Sequence, residues 1–240
     1  MKDPVALAYS GRIEEAERAA RAQILADDPL ARAGAWEAFA VLGREHGLKT
    51  DASLDTALAD AVRTEGAVGR RALEAAMELR STAPEAFVVE RLNRGSAGWE
   101  HLRFAGERPS HGLARGLAGG WKLLDPALAD EALLTAAAMP LSGPAKAEWG
   151  TRALALVAAP QASVRVAVLR CLAFWGHVPG VDACAKALDD ADEAVREQAA
   201  VSLLALDGER AVTEAAERGA ECVELWSRLT PAQRKAASER

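Results

Sequence analysis

Aromatic side chains are scarce in this chain: one tyrosine, four phenylalanines and six tryptophans in 240 residues. Valine, isoleucine and threonine are comparatively few as well, and a sequence thin in β-branched and aromatic residues argues against a sheet-built core. Cysteine occurs three times, an odd number that cannot close into a full set of internal disulfides and that suits a reducing compartment. No apolar run approaches the ~20 residues needed to cross a bilayer. The opening residues, Met1-Lys2-Asp3-Pro4-Val5-Ala6-Leu7, hold no hydrophobic signal core, so a cytoplasmic location with no membrane partner is expected. Positive charge is not in excess either. The formal net charge is −6 and the pI about 5.4, whereas a protein that grips phosphates needs a dense cationic track. Nucleic acid is not an expected partner.

The motifs of several enzyme classes are missing too. There is no Gly-x-Ser-x-Gly elbow, no His-Glu-x-x-His, and no phosphate loop ending in Gly-Lys-Ser/Thr. His46, His101, His111 and His177 are scattered, with no partner that sequence can assign. Cys171, His177 and Cys184 lie within fourteen residues, but their spacing matches neither the Cys-x2–4-Cys nor the His-x3–5-His pairs of structural zinc sites. Both cysteines fall on apolar stripes, where a free thiol acts as a small hydrophobe. No metal, no cofactor and no catalytic residue is expected.

What is abundant is alanine, with 56 residues, followed by leucine, glutamate and arginine, all strong helix formers. Half of the residues are hydrophobic, ample for a buried core. The fold class expected is therefore all-α.

The organisation comes from self-similarity. Ser163-Val164-Arg165 recurs as Ala194-Val195-Arg196 at a 31-residue offset, which also pairs Leu172 with Leu203, Val181 with Val212 and Ala185 with Ala216. Stepping back by the same amount without a gap pairs Val164 with Leu133 and Leu172 with Leu141, while Arg165 falls on Leu134. At an offset of 96, Val68, Leu73, Ala76, Leu79 and Leu92 meet Val164, Leu169, Leu172, Trp175 and Leu188. Each unit reads as two helices. Val164, Val168, Leu169, Leu172 and Trp175 form one apolar stripe at helical spacing. Gly176-His177-Val178-Pro179-Gly180 is a turn, and Val181, Cys184, Ala185 and Leu188 mark a shorter second helix. Asp192 is placed to cap the next helix, and Asp207-Gly208 is the turn of the following unit.

The string Asp192-Glu193-Ala194-Val195-Arg196-Glu197-Gln198-Ala199-Ala200-Val201-Ser202-Leu203-Leu204-Ala205-Leu206 resembles a HEAT repeat, of the short bacterial kind also seen in phycobilin lyases. Val164 to Leu172 is similar, and Val68 to Leu79 is a weaker relative. The match covers residues 161–219, with 29–160 as an extension whose motifs have decayed. Tyr9 to Ala16, then Ala20, Ile24 and Asp28-Pro29, resemble part of a tetratricopeptide repeat. The resemblance implies an α-α superhelix, a single solenoid with a cap at 1–28, about six helix pairs near 29–64, 65–95, 96–129, 130–160, 161–191 and 192–219, and a second cap at 220–240. It also implies that Arg165, Asp192 and Arg196 form a structural ladder between repeats. The function it implies is a non-catalytic scaffold or adaptor binding another protein or peptide; the alternatives are a HEAT-like DNA glycosylase or other nucleic-acid-binding solenoid, and a phycobilin-lyase-like enzyme.

Residues 95–121 depart from the pattern, with seven of the 19 glycines. This stretch is a degenerate repeat whose aromatics fill the core, or a binding surface carried by Trp99, His101, Arg103, Arg108, His111, Arg115 and Trp121. On the second reading Arg108→Ala leaves stability nearly unchanged. The repeat makes the opposite prediction for Leu203: Leu203→Ala is expected to destabilise the fold by about 2–5 kcal/mol, as truncation of a buried leucine does. A thermal melt with an unshifted midpoint would contradict this.

Overall fold

A computed structural model describes residues 3–239, apart from the side chains of residues 220 and 221. The ends of the two expected caps, residues 1–2 and 240, lie outside the described residues. Among these there are sixteen α-helices and no strand. They fall into two compact units, Met1–Asp125 and Pro126–Arg240.

The first unit holds α1 (Pro4–Tyr9), α2 (Ile13–Gln23), α3 (Pro29–His46), α4 (Ala52–Ala61), α5 (Ala67–Glu78), α6 (Glu85–Asn93), α7 (Trp99–Glu107) and α8 (His111–Gly120). Short polar residues start many of these helices. Asp3, Asp28, Asp51 and Ser110 each accept a backbone N–H of the first turn through the side chain, a contribution of about 1 kcal/mol apiece. α3 packs on α5, α5 on α7 and α6 on α8. α3 is buried over most of its circumference, with Trp36, Phe39, Val41 and Leu42 all at most 1% exposed. A helix apolar on every side needs neighbours on every side.

The irregular stretch is two regular helices, α7 and α8, and the glycines of α8 have a packing role. A Cβ on Gly120 would lie 1.7 Å from the carbonyl oxygen of Leu92, and one on Gly116 would lie 3.2 Å from that of Val89. Their bare backbone is what lets α8 rest directly on α6.

The second unit holds α9 (Ala129–Ala138), α10 (Gly143–Leu154), α11 (Ala162–Trp175), α12 (Val181–Ala187), α13 (Glu193–Leu206), α14 (Gly208–Arg218), α15 (Val223–Arg228) and α16 (Pro231–Ser238). α11 packs on α9 and on α13, α13 on α15, and α14 on α16. The expected terminal helix begins at Thr230-Pro231, with Thr230 and Gln233 in a reciprocal capping box.

The 31-residue offset holds in three dimensions between α11 and α13. Arg165 Nη1 donates to the carbonyls of Ala159 and Pro160, and Arg196 Nη1 donates to those of Asp190 and Ala191. Cys171 Sγ donates to the Leu133 carbonyl on α9, and its counterpart Ser202 Oγ donates to that of Leu169 on α11. The ungapped step back to α9 does not hold. α9 ends at Ala138, because Met139 is extended ahead of Pro140 and a residue preceding proline is driven out of the helical region. Leu141, the expected partner of Leu172, therefore lies between helices. The matches at offset 96 do hold: Val68, Leu73, Ala76, Leu79 and Leu92 are buried, as are their five counterparts.

The ladder has a different acid from the one expected. Asp192 accepts from the N–H groups of Ala194 and Val195 through one carboxylate oxygen as the cap of α13. Asp190 takes the ladder position, receiving Arg165 Nε at 2.8 Å and Nη2 at 2.7 Å. Arg196 reaches on to Glu224 at 3.7 Å.

The Arg165 guanidinium holds the Asp190 carboxyl below the usual carboxylate range. A carboxyl shifted this way stabilises the fold above its unfolded value of about 3.9, and the contribution is lost as pH falls through the lower folded value. Asp190→Asn is expected to cost about 1.5 kcal/mol at neutral pH, with the gap to wild type closing in more acid solution. Urea midpoints at pH 7 and pH 3 check this, and an equal gap at both would contradict it.

Candidate functional site

Two adjoining clefts in the first unit bring together the charged and aromatic residues that have functional potential. The first, about 270 Å³, is lined by the turn between α4 and α5, the start of α5, one face of α6 and the start of α7. The second, about 400 Å³, runs along α5 against α7. Both are lined by Arg70 and Glu100, where they adjoin.

Trp99 and Arg103 line the second cleft with Met77. Trp99 is 55% exposed at the first position of α7. The Arg103 guanidinium lies 5.9 Å from the centroid of its ring, a cation–π distance, and also pairs with Glu107 at 2.8 Å. The indole is thereby held in place on a rigid helix.

His101 lies on the first cleft but is only 7% exposed. Its Nδ1 accepts the Gly98 N–H at 3.1 Å, capping its own helix, and its ring lies 5.7 Å from that of Phe87. Burial pushes its pKa below the ordinary value, with Arg91 adding to the effect against Glu100 and the Gly98 hydrogen bond. The ring is thus neutral at pH 7, with Nδ1 as an acceptor. An expected contact residue is, in the structure, a helix cap.

Arg108 is also turned inward. Its Nη2 donates to the Met77 carbonyl at 2.9 Å, tying the end of α7 to α5. His111 and Arg115 are exposed on α8 and line neither cleft, and Trp121 is half-buried in a short turn of 3-10 helix after α8. The structure therefore gathers Trp99, His101 and Arg103 and separates them from His111, Arg115 and Trp121.

Sequence reading missed Arg63, Arg70, Phe87 and Arg91. Arg63 and Arg91 lie 5.5 and 6.0 Å from the centroid of the Phe87 ring. Phe87 and Arg91 stand four apart on α6, a same-face spacing, and that was the one available signal. The remaining lining comes from separate elements that only the fold brings together.

In the second unit, Phe174 is 65% exposed and borders an apolar groove of about 280 Å³ with Leu134, Ala137 and Cys171. Burial pushes the thiols of Cys171 and Cys184 up to about 12, so they are not nucleophiles at neutral pH. Trp36, Trp149 and Trp175 are buried. Among the described residues, no helix is long and apolar enough to cross a membrane, and no three or more of histidine, cysteine, aspartate and glutamate are grouped to hold a metal ion. Comparison with protein-family models and with curated proteins finds no match.

The hydrogen bond from Arg108 to Met77 replaces the earlier expectation for that residue. Arg108→Ala is expected to cost about 1.5–3 kcal/mol, in the range of a hydrogen bond from a charged donor. An unfolding midpoint in urea equal to that of wild type would contradict it.

Proposed function

We propose that this chain is a non-catalytic interaction scaffold, built of HEAT-like helix pairs, that binds another protein or peptide through the paired clefts along α5. The observation that carries the reading is the exposure of Trp99, held beneath Arg103 at the mouth of a cleft. Tryptophan and arginine are the side chains that most often anchor a protein interface, and an indole fixed on a helix loses little conformational freedom on binding. The HEAT-like reading draws support from the paired arginine and Cys171/Ser202 hydrogen bonds that repeat between α11 and α13. The non-catalytic reading is favoured by the internal duty of His101. The three free cysteines fit the reducing cytoplasm in which we place the protein.

The test is affinity capture from the native host with wild type and with the double variant Trp99→Ala/Arg103→Ala, quantified by mass spectrometry. Both side chains are at the surface, so the variant keeps its fold. The expected result is a small set of proteins enriched on wild type and reduced at least about tenfold on the variant, the effect of losing a hot spot. Identical capture profiles would contradict the reading. Duplex DNA binding at low salt that falls steeply as salt rises would instead favour the glycosylase-like alternative.

A further inference from the structure

The cleft beside Trp99 holds two guanidiniums that have no ion pair among the described residues. Arg63, Arg70 and Arg91 line it with Glu65 and Glu100, and Arg63 is paired with Glu90 at 3.8 Å. Neither Arg70 nor Arg91 forms an ion pair among the described residues, although both carboxylates line the same cleft. Glu100 is turned to its own helix start, 3.7 Å from His101 Nδ1. The Nε of Arg91 is buried and has no hydrogen-bond partner within the protein. A buried donor left unsatisfied is costly and calls for a partner such as a water, an ion or a ligand group.

Two further features bear on the same space. Phe87 lies within cation–π distance of both Arg63 and Arg91, which limits their freedom before anything binds. The twelve-residue α5 starts at the cleft with Gly66 as its cap, so no side chain covers its first N–H groups. The positive end of its dipole adds to the guanidiniums.

We infer that this cleft is a carboxylate-binding site that takes an acidic side chain of a bound peptide between Arg70 and Arg91; this rests on the peptide-binding reading given above. A guanidinium fork matches a carboxylate in geometry and charge. One carboxylate is bridged by the two unpaired guanidiniums, whereas a phosphate dianion would bring more negative charge beside Glu65 and Glu100. Arg70 lines both clefts, so a chain lying over it reaches both. The partner is therefore a segment in which an acidic residue stands close to an apolar one, the first over Arg91 and the second against Trp99.

The test uses the full chain and two fluorescent peptides, acetylated and amidated at their ends, one alternating glutamate with leucine and the other alternating glutamine with leucine. The glutamate peptide is expected to bind about tenfold more tightly. Arg70→Gln, at an exposed position, and Arg91→Met, which keeps the aliphatic stem, are each expected to abolish that preference, while Trp99→Ala weakens both peptides alike. Equal affinity for the two peptides, or a preference that survives both arginine variants, overturns the inference. A second arm follows the Arg91 Nε–H resonance during titration with sodium acetate, inorganic phosphate and sodium chloride. A saturable shift with acetate alone supports the carboxylate site even if neither peptide binds, in which case the peptide-binding reading is what fails. Tighter binding of phosphate than of acetate overturns the choice of carboxylate.

Discussion

A helix that is apolar on nearly every side can exist in water only if other helices enclose it, and that constraint organises each unit of this protein. α3 is buried through Trp36, Phe39 and Leu42 and is covered by α1, α2 and α5. α11 lies between α9 and α13, and α13 is covered in turn by α15. α4 packs on α5, α10 on α11 and α12 on α13. With aromatics at only 5% of the residues, bulk cannot fill the space between helices; close approach must do it, through alanine and, on α8, through glycine.

Polar groups fix the register that apolar contact leaves loose. Arg165 and Arg196 clasp two carbonyls each in the turn that precedes their own helix, and each then reaches to an acid further along the chain. Hydrogen bonds of this kind are directional where hydrophobic contact is not. The same division of labour appears at the clefts. His101 and Arg108 satisfy backbone groups and hold α7 in place, which leaves Trp99 and Arg103 to face outward.

Much of the fold was legible in the sequence because local chemistry and periodicity agree in it. The turn at Gly176, the cap at Asp192 and the helix starting at Thr230-Pro231 all follow from residues acting on their nearest neighbours. The ladder was legible only in part. Asp192 and Asp190 are both acidic and two residues apart, and choosing between them requires knowing which one the helix start has already engaged. The failure of the ungapped step back to α9 has a local cause, Pro140, whose effect on Met139 outweighs the apolar match at Leu141. The candidate site was the least legible. Trp99 and Arg103 stood out by type, but Arg63, Arg70, Phe87 and Arg91 come from different elements, and their convergence depends on how α5, α6 and α7 pack.

The claim on which all of this depends is that the most buried helices, α3, α11 and α13, carry the stability of their units and the flanking helices cover them. Hydrogen–deuterium exchange followed peptide by peptide tests it most directly, since protection reports local opening free energy. Amides in the buried turns of α3, α11 and α13 are expected to exchange slowest, and those of α12, α14 and α16 markedly faster. Protection of α12 and α16 equal to that of α11 would contradict the account.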